Sequence, residues 1–251
     1  EKLKAPTLAA PDGIDADAVR KRLDAAGQAG STHLTEPEAR KLLGLYGIPL
    51  APAILAETPQ AAVAAAKHIG YPVAMKIVSP KIVHKSDAGG ILLDLADEDA
   101  VESAFRTITA NAATVAEPSQ IFGVLIAPMA PAGQECIIGM AKTPQFGPVL
   151  MFGLGGIFVE VLKDVSLRAV PLTRTDVDEM VAEIKGYPLL SGIRGMRSKD
   201  IGILKEMIVR TARLAMDHPE IREIDLNPVI VHETGASVVD ARIIIEQRKA
   251  T

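Results

Sequence analysis

An α+β architecture of two lobes with a ligand-binding cleft between them is what this 251-residue sequence predicts. Three features point there. Apolar runs of strand and helix period are mixed in both halves, no internal repeat recurs, and the strand–helix alternation of a doubly wound sheet fails between Ile121 and Val170. The expected divisions are a linker and N-terminal helix over 1–30, a first lobe with adjoining helices over 31–120, and a second lobe over 121–251. A cleft between lobes is a favoured place for a small ligand.

The first dozen residues, rich in Ala and Pro, read as a linker. A short amphipathic helix follows over Asp15 to Ala26, with Val19 and Leu23 on one face. Thr35-Glu36-Pro37-Glu38 has capping-box spacing, Leu42, Leu43 and Leu45 supply the apolar face of the next helix, and Gly47 stops it. A strand over Pro52 to Ala56 leads to Thr58-Pro59, a cap with proline at the first helical position. The Ala-rich helix it opens ends at Gly70.

The β-type runs Val73 to Val78 and Ile91 to Leu95 flank a polar, glycine-ended loop, Ser79 to Gly90, too long for a hairpin turn. Asp97 caps a helix reaching about Val115. Strands are expected at Ile121 to Ala127, Glu135 to Ala141, Val149 to Phe152 and Val165 to Val170. Helices near Thr175 to Lys185 and Lys199 to Met216 precede two final strands, Glu223 to His232 and Ser237 to Ile244, joined by a turn at Gly235.

Composition excludes several classes of function. A hydrophobic fraction of 48%, a charged fraction of 23% and a formal charge of −4 describe an ordinary globular chain with no basic footprint for nucleic acid. The longest apolar stretch, Val149 to Val159, is broken by Gly153, Gly155 and Gly156 and is too short to cross a bilayer. The single cysteine, Cys136, forms no intrachain disulfide, reads as a small buried residue, and suits a reducing cytoplasm. Glu1-Lys2-Leu3-Lys4 has neither an initiator Met nor a signal region, so a processed end or a cut from a longer chain is expected.

Five segments carry potential chemistry. Lys76 stands alone in the apolar run Val73-Ala74-Met75-Lys76-Ile77-Val78, where a buried ammonium needs a partner such as phosphate; an exposed or snorkelling lysine is the plainer alternative. The loop after it, with Lys81, His84, Lys85, Ser86 and Asp87 before Ala88-Gly89-Gly90, offers amides and Lys85 to a polyphosphate and His84 as a nitrogen nucleophile; His84 as a surface residue is the alternative. Period two places Glu223, Asp225 and Asn227 on one strand face, with Asp240 across a short turn. Such hard oxygen ligands suit Mg²⁺, although an edge strand with a polar face has the same pattern. Finally, Phe152-Gly153-Leu154-Gly155-Gly156 with Glu160 and Asp164, and Arg194-Gly195-Met196-Arg197, offer a glycine loop, acids and an anion site, without Walker or dinucleotide spacing.

The order of these segments, with Gly147-Pro148 leading toward Glu160 and Asp225-Leu226-Asn227-Pro228 followed by Asp240, resembles the ATP-grasp part of ADP-forming acetyl-CoA synthetases over residues 30 to 245. More distantly it resembles the nucleotide-binding subunit of succinyl-CoA synthetase. The resemblance implies a two-lobed ATP-grasp fold that binds ATP or ADP with Mg²⁺. Lys76, Lys85 and Ser86 would touch phosphates, Ala127, Pro128 and Met129 would meet adenine through backbone groups, and Glu135 would meet ribose. Asn227 and Asp240 match the metal-binding pair, His84 the second phosphoryl carrier, and Asp225 the carboxylate that orients it.

In that family acid, CoA and ATP exchange with acyl-CoA, ADP and phosphate, with a first phosphohistidine on a CoA-binding companion. Nothing in this sequence resembles the companion, so an alpha-type subunit or fused domain is the expected partner, in an oligomeric enzyme that engages neither nucleic acid nor membrane. Two other readings compete: a non-catalytic nucleotide sensor within a regulatory protein, and an ATP-grasp ligase that forms acyl phosphate directly. The retained Lys76, His84, Asn227 and Asp240 argue against the first, and the loop histidine argues against the second.

Overall fold

The computed structural model describes residues 8–82, 84–156, 163–193, 195 and 197–246; Glu160, Arg194 and Met196 lie outside them. In chain order the elements are α1 (Ala16–Gln28), α2 (Glu36–Leu45), β1 (Ile54–Ala56), α3 (Pro59–Ile69), β2 (Val73–Val78), β3 (Ile91–Leu95) and α4 (Glu98–Ala112). There follow β4 (Gly123–Pro128), β5 (Gln134–Thr143), β6 (Gly147–Leu154), β7 (Val165–Ala169), α5 (Arg174–Ala182), α6 (Tyr187–Ser191), α7 (Ile201–Asp217), β8 (Ile221–Val231), β9 (Ala236–Val238) and β10 (Ala241–Ile245). The chain divides into two compact units, one of residues 35–37 and 51–131, the other of the remainder.

The smaller unit is built on a four-stranded sheet in the order β1-β4-β2-β3, antiparallel throughout. Every residue of β2 is buried, Lys76 included. Its apolar side chains Val73, Met75 and Ile77 share a core with Val101, Phe105 and Ile108 of α4 and Ala62, Ala65 and Ala66 of α3. Thr58 and Asp97 cap these two helices with side-chain oxygens, as their sequence positions predict.

The larger unit carries a six-stranded antiparallel sheet in the order β10-β8-β5-β6-β7, with β9 paired to β8. Helix α7 packs on β5 and β6. Leu204, Met207, Ile208, Thr211, Ala212, Leu214 and Ala215 recur at helical spacing and are buried, forming a core with Ile138, Leu150, Phe152 and Leu154. Val19 and Leu23 of α1 and Leu42 and Leu43 of α2 join that same core. Gly47 ends the α2 region in the left-handed conformation, its φ of +66° suiting glycine.

The units divide elsewhere than at residues 30 and 120, for two packing reasons. β4 pairs with both β1 and β2, so the smaller unit runs on to residue 131. α1 and most of α2 bury their apolar faces in the larger unit's core. The predicted strand Ser237 to Ile244 is two strands, because the Val239 N–H turns to the Pro228 carbonyl and the Asp240 carbonyl accepts from the Asn227 N–H. The short helix α6 was not predicted: five residues are too few for an apolar period. Among the described residues no helix is long and apolar enough to cross a membrane.

Candidate functional site

In the smaller unit the polar loop is tied to β2 and presents its reactive groups outward. The Gly90 N–H donates to the Lys85 carbonyl at 2.7 Å, while the Gly90 carbonyl accepts from Ile77 N–H at 2.8 Å. A Cβ on Gly90 would lie 2.5 Å from Ile77 Cγ2, so only glycine lets the loop close this tightly on the strand. Asn111 of α4 donates to the Gly89 carbonyl at 3.0 Å. His84, Ser86 and Asp87 are exposed between these anchors, and Lys85 is partly buried.

Lys76 does find a partner, and it is a carboxylate. Its ammonium lies 3.3 Å from Glu36 Oε1, while Lys85 Nζ donates to the other oxygen, Oε2, at 2.7 Å. The Glu36 side chain is only 2% exposed. The plain alternative of an exposed lysine is therefore excluded, since Lys76 is buried. Sequence reasoning placed Glu36 only within a capping run and missed this role.

The segment Ala127, Pro128 and Met129 closes β4. Ala127 and Pro128 stand opposite Ala74 and Val73 of β2, and the Met129 N–H donates to the Pro72 carbonyl at 3.2 Å. The segment is thereby fixed at the end of the sheet by backbone pairing, whatever side chains it carries.

In the larger unit β8 has the predicted alternation: Ile224 and Leu226 are buried while Glu223, Asp225 and Asn227 share the more accessible face. The Asn227 N–H to Asp240 carbonyl bond of 3.1 Å brings the metal-pair candidates to adjacent backbone positions. An amide oxygen and a carboxylate are hard donors of the kind Mg²⁺ takes beside water and phosphate oxygens. Among the described residues no cluster of three or more His, Cys, Asp or Glu could hold a metal.

Arg242 on β10, which sequence reasoning missed, faces the same acidic strip. It ion-pairs with Glu223 and lies 3.6 Å from Asp225 Oδ2. Burial raises the Asp225 pKa above the ordinary carboxylate range; Arg242 opposes this, and the negative charges of Glu223 and Asp240 add to it. Glycine 139 of β5 stands opposite Asp225 and adds no side chain there. The signal for Arg242 was one cation in an isoleucine-rich strand, which alternation alone sends to solvent.

Glu135 is exposed at the start of β5, and its carbonyl accepts from the Gly155 N–H at 2.8 Å. Asp164, by contrast, is buried and accepts from the N–H groups of Lys185 and Gly186, both at 2.7 Å, so it serves the turn before α6. Cys136 is fully buried, and desolvation pushes its thiol up to about 12, which removes it as a nucleophile. The loop thus joins Lys76 to Lys85 through Glu36 in one unit. The second unit joins Asn227 to Asp240 and Asp225 to Arg242.

The model of the ATP-grasp domain family aligns with residues 25–245. The chain belongs to the ATP-grasp family. Within that family it is 47% identical to the beta subunit of the ADP-forming acetate–CoA ligase I of Pyrococcus furiosus, over 92% of this chain and 100% of that subunit. It is 44% identical to the ADP-forming acetate–CoA ligase I of Archaeoglobus fulgidus over 90% of this chain, but spans only 32% of that longer protein.

The ATP-grasp chain also superposes on the dinucleotide-forming acetyl-coenzyme A synthetase 1 of Candidatus Korarchaeum cryptofilum with a TM-score of 0.79 at 43% identity. That match covers 91% of this chain and 100% of the other, in a structure of the enzyme in complex with coenzyme A and Mg-AMPPCP whose phosphohistidine segment points towards the nucleotide-binding site. A more distant likeness, 26% identity over 85% of this chain and 55% of the relative, connects it to the succinate–CoA ligase beta subunit of Rubrobacter xylanophilus. The chain is therefore of the beta-subunit type of ADP-forming acyl-CoA synthetases, the nucleotide-binding part of the enzyme.

Proposed function

We propose that this chain moves a phosphoryl group between ATP and His84, as its share of the reaction acid + CoA + ATP ⇌ acyl-CoA + ADP + phosphate. The observation that carries the reading is the anchored loop: exposed His84 stands beside Lys85, whose ammonium is held with that of Lys76 on one buried carboxylate. Two lysines fixed near a nitrogen nucleophile suit a polyphosphate, because charge on the transferred oxygens needs donors already in position.

A ring nitrogen of His84 forms a bond to the γ-phosphorus as the bond from phosphorus to the bridging oxygen breaks, and ADP leaves with that electron pair. Lys76, Lys85 and Ser86 orient the phosphates. Ala127, Pro128 and Met129 meet adenine, Glu135 meets ribose, and Asp225 is the carboxylate that supports the transfer. Asn227 and Asp240 hold Mg²⁺, which supplies charge neutralisation on phosphate oxygens when bound. A CoA-binding alpha-type partner, subunit or fused domain, supplies the acyl chemistry, and the assembly works in the cytoplasm.

The test incubates the purified chain with γ-labelled ATP and Mg²⁺, with and without a CoA-binding companion, and maps acid-labile label. Label on His84 is the expected outcome; nucleotide binding with no histidine label under either condition would refute the relay.

A further inference from the structure

We propose that Glu36 is a positioning residue for phosphoryl transfer: it holds the loop lysine, Lys85, in register with the strand lysine, Lys76. The proposal rests on the nucleotide reading of those two lysines. Lys76 is held by β2, whose neighbours on both sides fix its backbone. Lys85 lies in the turn segment between β2 and β3, where its carbonyl accepts from the Gly90 N–H but no strand pairing frames it on both sides. Its long side chain would sample many rotamers before meeting a phosphate.

The carboxylate removes that freedom. Its two oxygens are divided between the ammonium groups, at 3.3 Å and 2.7 Å, and its side chain is 2% exposed. A carboxylate buried to that degree is a fixed post rather than a swinging gate. The loop backbone is already anchored through Gly89 and Gly90, so Glu36 completes the restraint at the side-chain level.

The arrangement has an electrostatic cost that identifies its purpose. A carboxylate beside the lysines weakens attraction for a polyphosphate in the ground state. A group placed only to tighten nucleotide binding would not be an acid. Holding Lys85 where charge develops on the transferred phosphoryl oxygens compensates in the transition state, where positioning counts most. Removing Glu36 should therefore split affinity from rate.

The experiment compares the full chain with its Glu36→Gln, Glu36→Asp and Lys76→Met variants, and with the double variant Lys76→Met/Glu36→Met. Three quantities are read: ADP affinity, single-turnover phosphorylation of His84 from ATP, and the rate at which Lys85 is acylated by an amine reagent, mapped by mass spectrometry. In Glu36→Gln, ADP affinity should stay within about threefold or improve, transfer should slow at least about tenfold, and Lys85 should label about tenfold faster. Glu36→Asp should recover part of the rate. Lys76→Met should leave Lys85 slow to label, because Glu36 still holds it, and the double variant should raise its labelling rate.

The double variant also guards against misfolding, since replacing a buried ion pair by apolar groups is better tolerated than breaking it. Unchanged Lys85 labelling in both Glu36 variants would overturn the proposal, as would parallel losses of affinity and rate. Absence of ADP binding in the unaltered chain would overturn the nucleotide reading itself, and is told apart because it precedes any substitution.

Discussion

Asp225 on β8 stands directly opposite Arg242 on β10, its carboxylate 3.6 Å from a guanidinium that also pairs with Glu223. One cation thus serves two acids on a partly buried strip, and burial still raises the Asp225 pKa. A carboxyl group whose folded-state pKa is raised favours the fold below its unfolded value near 3.9, and that contribution is lost as pH rises through the folded value. Asp225→Asn should accordingly match or exceed the unaltered chain in stability at neutral pH and flatten this part of the pH dependence. The same variant should slow phosphorylation of His84 about tenfold. Urea unfolding at several pH values, set beside single-turnover rates, checks both halves; a marked loss of stability at pH 7 would contradict the first.

Lys76→Met should lower ATP affinity at least about tenfold while leaving the chain folded. Loss of one lysine leaves Glu36 with Lys85 at 2.7 Å. The expected destabilisation is therefore about 1–2 kcal/mol, less than the roughly 3–5 kcal/mol for stranding a buried charge completely. Calorimetric titration with ATP and Mg²⁺, together with denaturant unfolding, separates these effects. Unchanged affinity in the folded variant would remove Lys76 from the nucleotide site.

His218 provides a pH prediction remote from the proposed chemistry. It follows α7, is 0% exposed, meets the ring of Tyr46 edge-on at 5.8 Å, and neither ring nitrogen hydrogen-bonds within the described residues. Burial lowers its pKa, against the opposing pull of Glu220 and Asp217. The neutral ring is therefore the form the fold accepts. Its contribution is intact above the unfolded value near 6.5 and is lost as pH falls towards and through the folded value. His218→Phe should weaken the decline in stability between about pH 6.5 and 5, which unfolding titrations at those two values measure.

Much of this was legible because local chemistry decided it. Val73 to Val78 is apolar apart from Lys76 and lies between proline and polar punctuation, and Thr58 and Asp97 are caps whose effect reaches only three residues along the chain. The even spacing of Glu223, Asp225 and Asn227 placed them on one face before any register was known. What escaped depends on pairing at a distance. Glu36 meets lysines 40 and 49 positions away, and nothing in a capping run announces such partners. Arg242 reached the acidic strip because β10 pairs with β8 in one particular register, and a shift by one residue would have turned it to the opposite face.

The last prediction concerns His84 itself. The residue is exposed on a loop whose two ends are held by Gly90 hydrogen bonds and whose neighbour Lys85 is held by Glu36, so removing the imidazole should disturb neither anchor. His84→Ala should therefore bind ADP and ATP within about threefold of the unaltered chain and lose no more than about 0.5 kcal/mol of stability, as expected for an exposed substitution. Transfer is different, because the nitrogen that forms the bond to phosphorus is gone and no other side chain replaces a covalent carrier. Acid-labile label from ATP should vanish. In the reverse direction, a companion already carrying phosphohistidine should fail to make ATP when mixed with the variant and ADP. That second assay is the sharper one, because it separates a carrier from a residue that only helps bind nucleotide. Normal ATP formation by His84→Ala from a phosphorylated companion would mean that phosphate reaches ADP directly, and His84 would then be a loop residue with no covalent part in the reaction.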